Sequence, residues 1–226
     1  MFKRMNYFSV VCAASLALWA CSSPKETTNS GNVTIEKHEA EKRVDVMMNN
    51  RLFTSLIWPD SIFKPVLYPL VTSAGTIITR GYPIQPRAGE RADHPHHTGM
   101  WLNYGNVNGI DFWGNSYDIP EEQRKKTGGT IKLVRVDDIK QGGKTASMTA
   151  YESWRDPSDK EILAEKTVFE FMDRDSIRII DRITTLTATN GDVHMPDTKE
   201  GMFAIRVARE LELPSNEELV LTDASG

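Results

Sequence analysis

Apolar residues recur at every second position over most of this chain, and no other sequence feature limits its fold as strongly. Val44, Val46 and Met48 alternate with polar neighbours and stop at Asn49-Asn50, a turn signal. Leu52 to Ile57 reads as the returning strand. Thr167, Phe169 and Phe171 alternate with Val168, Glu170 and Met172. Ile177, Ile179 and Ile183 share one face, opposite Arg178, Arg182 and Thr184, and Phe203, Ile205 and Val207 lie opposite Ala204, Arg206 and Ala208. Turn chemistry separates the runs at Gly128-Gly129, Gly142-Gly143, Asp156-Pro157 and Asn190-Gly191. No segment keeps a 3.6-residue period over three turns, although Pro120 to Lys126 offers a single helical turn. Many closely spaced strands without intervening helices predict an all-β fold, an antiparallel β-sandwich. Glu218 to Thr222 reads as a further strand close to Gly226. A sheet ending there has an open edge, so the domain is expected to be incomplete at its C-terminus.

The first twenty residues read as an address. Lys3 and Arg4 form a basic start, and Tyr7 to Ala20 is apolar but too short to span a bilayer. Leu18-Trp19-Ala20-Cys21 resembles a bacterial lipobox, which implies a signal peptide over 1–20, cleavage before Cys21 and lipidation of its thiol. The acyl chains would anchor an exported protein to a bacterial membrane, on its periplasmic or cell-surface side. Residues 21–32, rich in Ser, Thr, Asn and Gly, read as a flexible tether to a single domain over 33–226.

Charge and cysteine content narrow the function classes. The formal charge of −4 becomes −6 once Lys3 and Arg4 leave with the signal. Nucleic-acid binding needs a basic face, so a nucleic-acid partner is not expected. The chain has two cysteines; Cys12 lies in the signal and Cys21 is the lipidation site. No cysteine remains for a disulfide or a thiolate metal site.

Residues 81–118 break the strand pattern. Three of the five histidines fall in Asp93-His94-Pro95-His96-His97, followed by Trp101, Tyr104, Phe112 and Trp113 among glycines and asparagines. Polar, irregular segments on a β scaffold are where function concentrates. In extended backbone, which Pro95 favours for His94, His94 and His96 point to one side and form two nitrogen ligands for a divalent transition metal. Asp93, Asp111, His194 and Glu200 are candidates to complete such a site. Alternatively His96 or His97 serves as an acid–base group, or the loop histidines only bond backbone carbonyls. Trp101 and Tyr104 read as stacking surfaces for a sugar ring, and Trp113 as core. Asp197 to Met202 leads into the 203–207 strand, where Lys199, Glu200 and Arg206 together suit a polyol or carboxylate substrate.

Several elements together resemble a bacterial family known as methane oxygenase PmoA-like. They are Lys64 to Leu70, the turn at Gly75, Asp93 to His97, Val107 to Trp113, and Asp197 to Arg206 as a second block. The resemblance covers about residues 43–226, and members usually continue beyond that point. It implies a supersandwich of the kind used by sugar mutarotases, and a place among carbohydrate-processing lipoproteins. It does not imply an integral membrane oxygenase, because no apolar run after the signal reaches spanning length.

The expected activity is therefore that of an exported lipoprotein enzyme acting on a carbohydrate or modified glycoside. His96, His97 and Glu200 would be catalytic, with Trp101, Tyr104, Lys199 and Arg206 holding substrate. A non-catalytic glycan-binding lipoprotein is one alternative. A metal-dependent oxidase with His94 and His96 as ligands is the other.

Overall fold

The computed structural model describes residues 31–174 and 176–213. The expected signal, Cys21, most of the tether and the strand expected at 218–222 lie outside the described residues. The chain forms strands β1 (Val33–His38), β2 (Arg43–Met48), β3 (Arg51–Ile57), β4 (Val66–Leu67) and β5 (Met100–Leu102). A short helix, α1 (Glu121–Thr127), precedes β6 (Thr130–Gly142), β7 (Thr145–Arg155), β8 (Glu161–Arg174) and β9 (Ile177–Ala188), and β10 (Phe203–Ile205) follows. Among the described residues no helix is long and apolar enough to cross a membrane.

The strands make two antiparallel sheets, ordered β1-β2-β3-β4-β5-β10 and β6-β7-β8-β9. This is the expected all-β sandwich. The β2–β3 turn falls at Asn49-Asn50, both at positive φ, a backbone that asparagine tolerates better than most residues. The helical turn expected over 120–126 is α1.

Period-two burial builds the core between the sheets. Val33, Ile35, Val44, Val46, Met48 and Phe53 from one sheet meet Met148, Ala150, Phe169 and Phe171 from the other. Each buried side chain of this size contributes about 1.5–3 kcal/mol through removal from water. A second cluster of Val107, Phe112, Ile131, Trp154 and Leu163 fills the far end.

On β9 the alternation is as read, and the isoleucine face is the outer one. Ile177 and Ile183 are more than half exposed, whereas Arg178, Arg182 and Thr184 lie on the more buried side. On β10, Phe203 and Ile205 likewise face outward. For β9 the reason lies on the inner face of β8. Glu165 is fully buried there and accepts hydrogen bonds from Arg182 Nη2 (2.6 Å), Trp154 Nε1 (2.8 Å) and Thr167 Oγ1 (2.6 Å). A buried carboxylate needs such partners, so Arg182 must turn inward and the isoleucines outward.

Glu152 stands opposite Glu165 in the β7–β8 register and is also buried. Burial, and then the charge of Glu165, push the Glu152 carboxyl well above the usual carboxylate range, against the opposing pull of Arg182. The folded protein therefore holds a proton on Glu152 at pH values where the unfolded chain has released it. Stability from this group is fully present below the unfolded carboxyl range and is lost progressively as pH rises from there through the raised pKa of the folded state. Glu152→Gln is expected to raise the thermal midpoint at pH 7, with the gain shrinking as pH falls toward 4.5, measured by thermal unfolding across that range. A Glu152→Gln protein less stable than wild type at pH 7 would contradict the assignment.

Candidate functional site

The histidine loop is built on two buried cations. Arg80 is 1% exposed and sits behind residues 91–97. Its Nη1 donates to the Arg91 carbonyl (3.1 Å), the Asp93 carbonyl (2.8 Å) and Asp93 Oδ1 (2.8 Å). Its Nη2 donates to the carbonyls of His94 (2.9 Å) and His97 (3.0 Å). Lys64, 5% exposed, takes another carbonyl of the same turn, donating from Nζ to His96 O at 2.6 Å. The loop has no strand partner for these carbonyls, and the rigid guanidinium fork supplies donors at several angles at once.

This clamp overrides the local preference at His94. Instead of the expected extended backbone, His94 has φ 44°, and the His97 amide donates back to its carbonyl at 2.9 Å. The segment is a turn, so His94 and His96 do not project side by side as strand neighbours. At the loop's exit Gly99 has φ +60°, and a Cβ there would lie 2.4 Å from the Leu67 carbonyl oxygen. Only glycine fits where the chain enters β5 beside β4.

The three imidazoles form one cluster. His97 lies parallel to His94 at 4.9 Å and to Trp101 at 5.3 Å, and meets His96 edge-on at 4.4 Å. Burial, and then the positive charge of Lys64, hold His96 down to about 4. Burial, followed by the two neighbouring histidines, holds His97 down to about 3. Both rings are therefore neutral near pH 7, each with one N–H donor and one acceptor nitrogen. At Asp93, burial pushes the carboxyl up. The hydrogen bond from His94 and the charges of Arg206, His94 and Arg80 together outweigh it, and the net shift is downward.

The 197–206 segment reaches the same place. Asn108 binds the backbone around His194, Tyr104 Oη donates to the Pro196 carbonyl at 2.8 Å, and the Asn103 amide bonds Met202. These contacts lay Thr198, Lys199 and Glu200 against the loop. A cleft of about 470 Å³ results, lined by His94, His96, His97, Asp111, Trp113 and Glu200, with Thr198, Lys199, Gly105 and Gly114 at its margins. Asp111 is oriented there by the amides of Trp113 and Gly114, each 2.8 Å from its Oδ1.

Four sequence assignments change. Trp101 is 1% exposed, and its Nε1 donates to Asn103. It is the floor under His97 and has no face open to a sugar. Tyr104 packs against the cluster around Phe112 and Trp154, and its hydroxyl is spent on Pro196. Arg206 holds the loop rather than substrate, donating from Nη2 to Asp93 (2.9 Å) and Glu212 (2.8 Å). Among the described residues no three His, Cys, Asp or Glu side chains are arranged to hold a metal ion, so the His94/His96 pair lacks its third ligand. His194, one of the candidates for it, is exposed and does not line the cleft.

Arg80 and Lys64 are the site residues that sequence reasoning did not single out on chemical grounds. For Arg80 the available signal is a charged residue at the end of the apolar run Ile77-Ile78-Thr79. Arg80→Met should destabilise the fold by about 3–5 kcal/mol, because it strands four carbonyls and part of the Asp93 charge. Denaturant unfolding measures this, and a loss under about 1 kcal/mol would mean the clamp does not organise the loop.

Residues 43–225 match the model of a family of unknown function, DUF6807, and the match takes in the histidine loop and the 197–206 segment. No curated protein and no solved structure matches the chain. With most of its length covered, the chain belongs to the DUF6807 family.

Proposed function

We propose that this protein is an exported, lipid-anchored enzyme acting on a carbohydrate or related polyol in the cleft between His97 and Glu200. The observation that carries the reading is convergence: three imidazoles and the carboxylates of Asp111 and Glu200 line one cleft of about 470 Å³. That volume falls within the range of small-molecule sites. A polyol presents hydroxyls that both donate and accept. Neutral imidazoles offer both functions, and carboxylates accept.

The lowered basicity of the histidines divides the work. Rings held at about 4 and about 3 are weak bases but competent N–H donors near pH 7. Glu200 is then the group that takes a proton from a substrate hydroxyl. His96 or His97 donates to the oxygen where negative charge develops. The resemblance of Asp93 to His97 and of Asp197 to Arg206 to the PmoA-like family supports carbohydrate chemistry in the same cleft. Trp101 and Tyr104 do not offer the platform that a purely glycan-binding surface would use.

The test is a panel of neutral monosaccharides, sugar acids and simple glycosides, screened by ligand-observed NMR and then for product. Glu200→Gln is expected to keep binding within a few-fold and to lower turnover by about 10²–10⁴. Turnover undiminished in both Glu200→Gln and His97→Asn, or no binding by any member of the panel, would overturn the reading.

The lipobox resemblance at Leu18 to Cys21 supports the membrane anchor. Cys21→Ser should move the protein from the membrane to the soluble fraction of a bacterial host, with loss of the acyl mass from the mature N-terminus. A wild-type protein that fractionates as soluble and carries no acyl group would remove the anchor from the proposal.

A further inference from the structure

On the other side of His96 lies a second cavity, of about 250 Å³. Its walls are largely apolar and aromatic, with Ile62, Phe63, Val66, Tyr82, Pro83 and Tyr117 among them. Lys64 lines it, and it is an unusual lysine. The residue is 5% exposed, and its Nζ donates to the His96 carbonyl at 2.6 Å and sits 5.2 Å from the Trp101 ring centroid. Among the described residues no carboxylate comes within ion-pairing distance of it, and Asp111 acts on it only at longer range. A buried ammonium without a counter-ion is costly, and the amine relieves the cost by shedding its proton. Burial accordingly holds Lys64 down to about 7, against an ordinary value of 10.5.

We propose that Lys64 is a carbonyl-binding amine, and that the cavity around it takes a small aldehyde or ketone as a Schiff base. A desolvated primary amine in an apolar pocket is the arrangement that makes lysine nucleophilic. The lone pair of Nζ attacks the carbonyl carbon and a C–N bond forms. Both amine hydrogens pass to the carbonyl oxygen, which leaves as water, and the C=N bond remains. No oxidant or reductant is consumed. The apolar walls favour a carbonyl compound over a free anion, because a single amine in a cavity that Asp118 also lines is a poor anion site. Lys64 does not line the histidine cleft, so this inference stands apart from the carbohydrate reading.

The test uses the full chain, with benzaldehyde and glyceraldehyde as separate probes and cyanoborohydride to reduce any imine to a stable secondary amine. Intact mass and peptide mapping then locate the adduct. The expected result is one adduct per chain, at Lys64, formed at least about tenfold faster than at exposed lysines such as Lys125 and Lys132. Unfolding in denaturant before labelling should abolish that preference. Lys64→Arg keeps a donor for the His96 carbonyl and cannot form an imine, so the fast adduct should disappear while the circular dichroism spectrum is retained. Glu200→Gln, across His96 in the other cleft, should leave labelling intact even if it abolishes turnover. Adducts spread over exposed lysines with Lys64 unmodified, for both probes, would overturn the proposal. So would a fast adduct that persists in folded Lys64→Arg.

Discussion

The candidate site depends on one buried guanidinium. Arg80 holds four backbone carbonyls and the Asp93 carboxylate of a loop that has no strand to pair with. An irregular loop can be held at the edge of a sandwich only if its backbone polar groups find partners, because leaving them dry costs more than any packing there returns. Arg206 joins through Asp93, and Lys64 through the His96 carbonyl. The cations draw the turn inward, where His97 and His94 stack over Trp101 and His96 stands edge-on to both. Burial first, and then neighbouring charges that include these cations, lowers the proton affinity of His96 and His97.

The same logic operates inside the four-stranded sheet. Glu165 is dry, so Arg182, Thr167 and Trp154 must face it. That requirement sets the orientation of β9 and leaves Ile177 and Ile183 toward solvent. In both places a charge–dipole constraint outranks the hydrophobic preference of individual residues. An exposed isoleucine forfeits about 2 kcal/mol, whereas a buried unpaired charge costs several.

His96 joins the two cavities. The residue lines the cleft with His97 and Glu200, and it also lines the cavity of Lys64, which bonds its backbone carbonyl. The proposed chemistries would thus stand side by side: hydroxyl recognition by imidazoles and carboxylates in one cavity, and carbonyl capture by a desolvated amine in the other. Each depends on exclusion of water, which lowers the proton affinity of His96, His97 and Lys64 together.

By itself the sequence determined the all-β class, the β2–β3 turn at Asn49-Asn50, the helical turn near 120–126, and which residues share each strand face. These follow from the two-residue period and from turn chemistry, which are local properties. It also singled out the histidine loop and the 197–206 segment by their composition, as candidates for chemistry, and the fold lays both along one cleft. Tertiary structure decided which face of β9 and β10 is inside, that Trp101 is floor rather than platform, that Arg206 holds the loop, and that His94 leaves extended geometry. It also supplied Arg80 and Lys64. A period identifies faces but not their direction, because direction depends on charges supplied by other strands and loops. Glu165 governs Arg182 across 17 positions, and Asp93 meets Arg206 across 113. Such pairs carry no mark in the local pattern; they exist only once the two sheets and the loop have packed together.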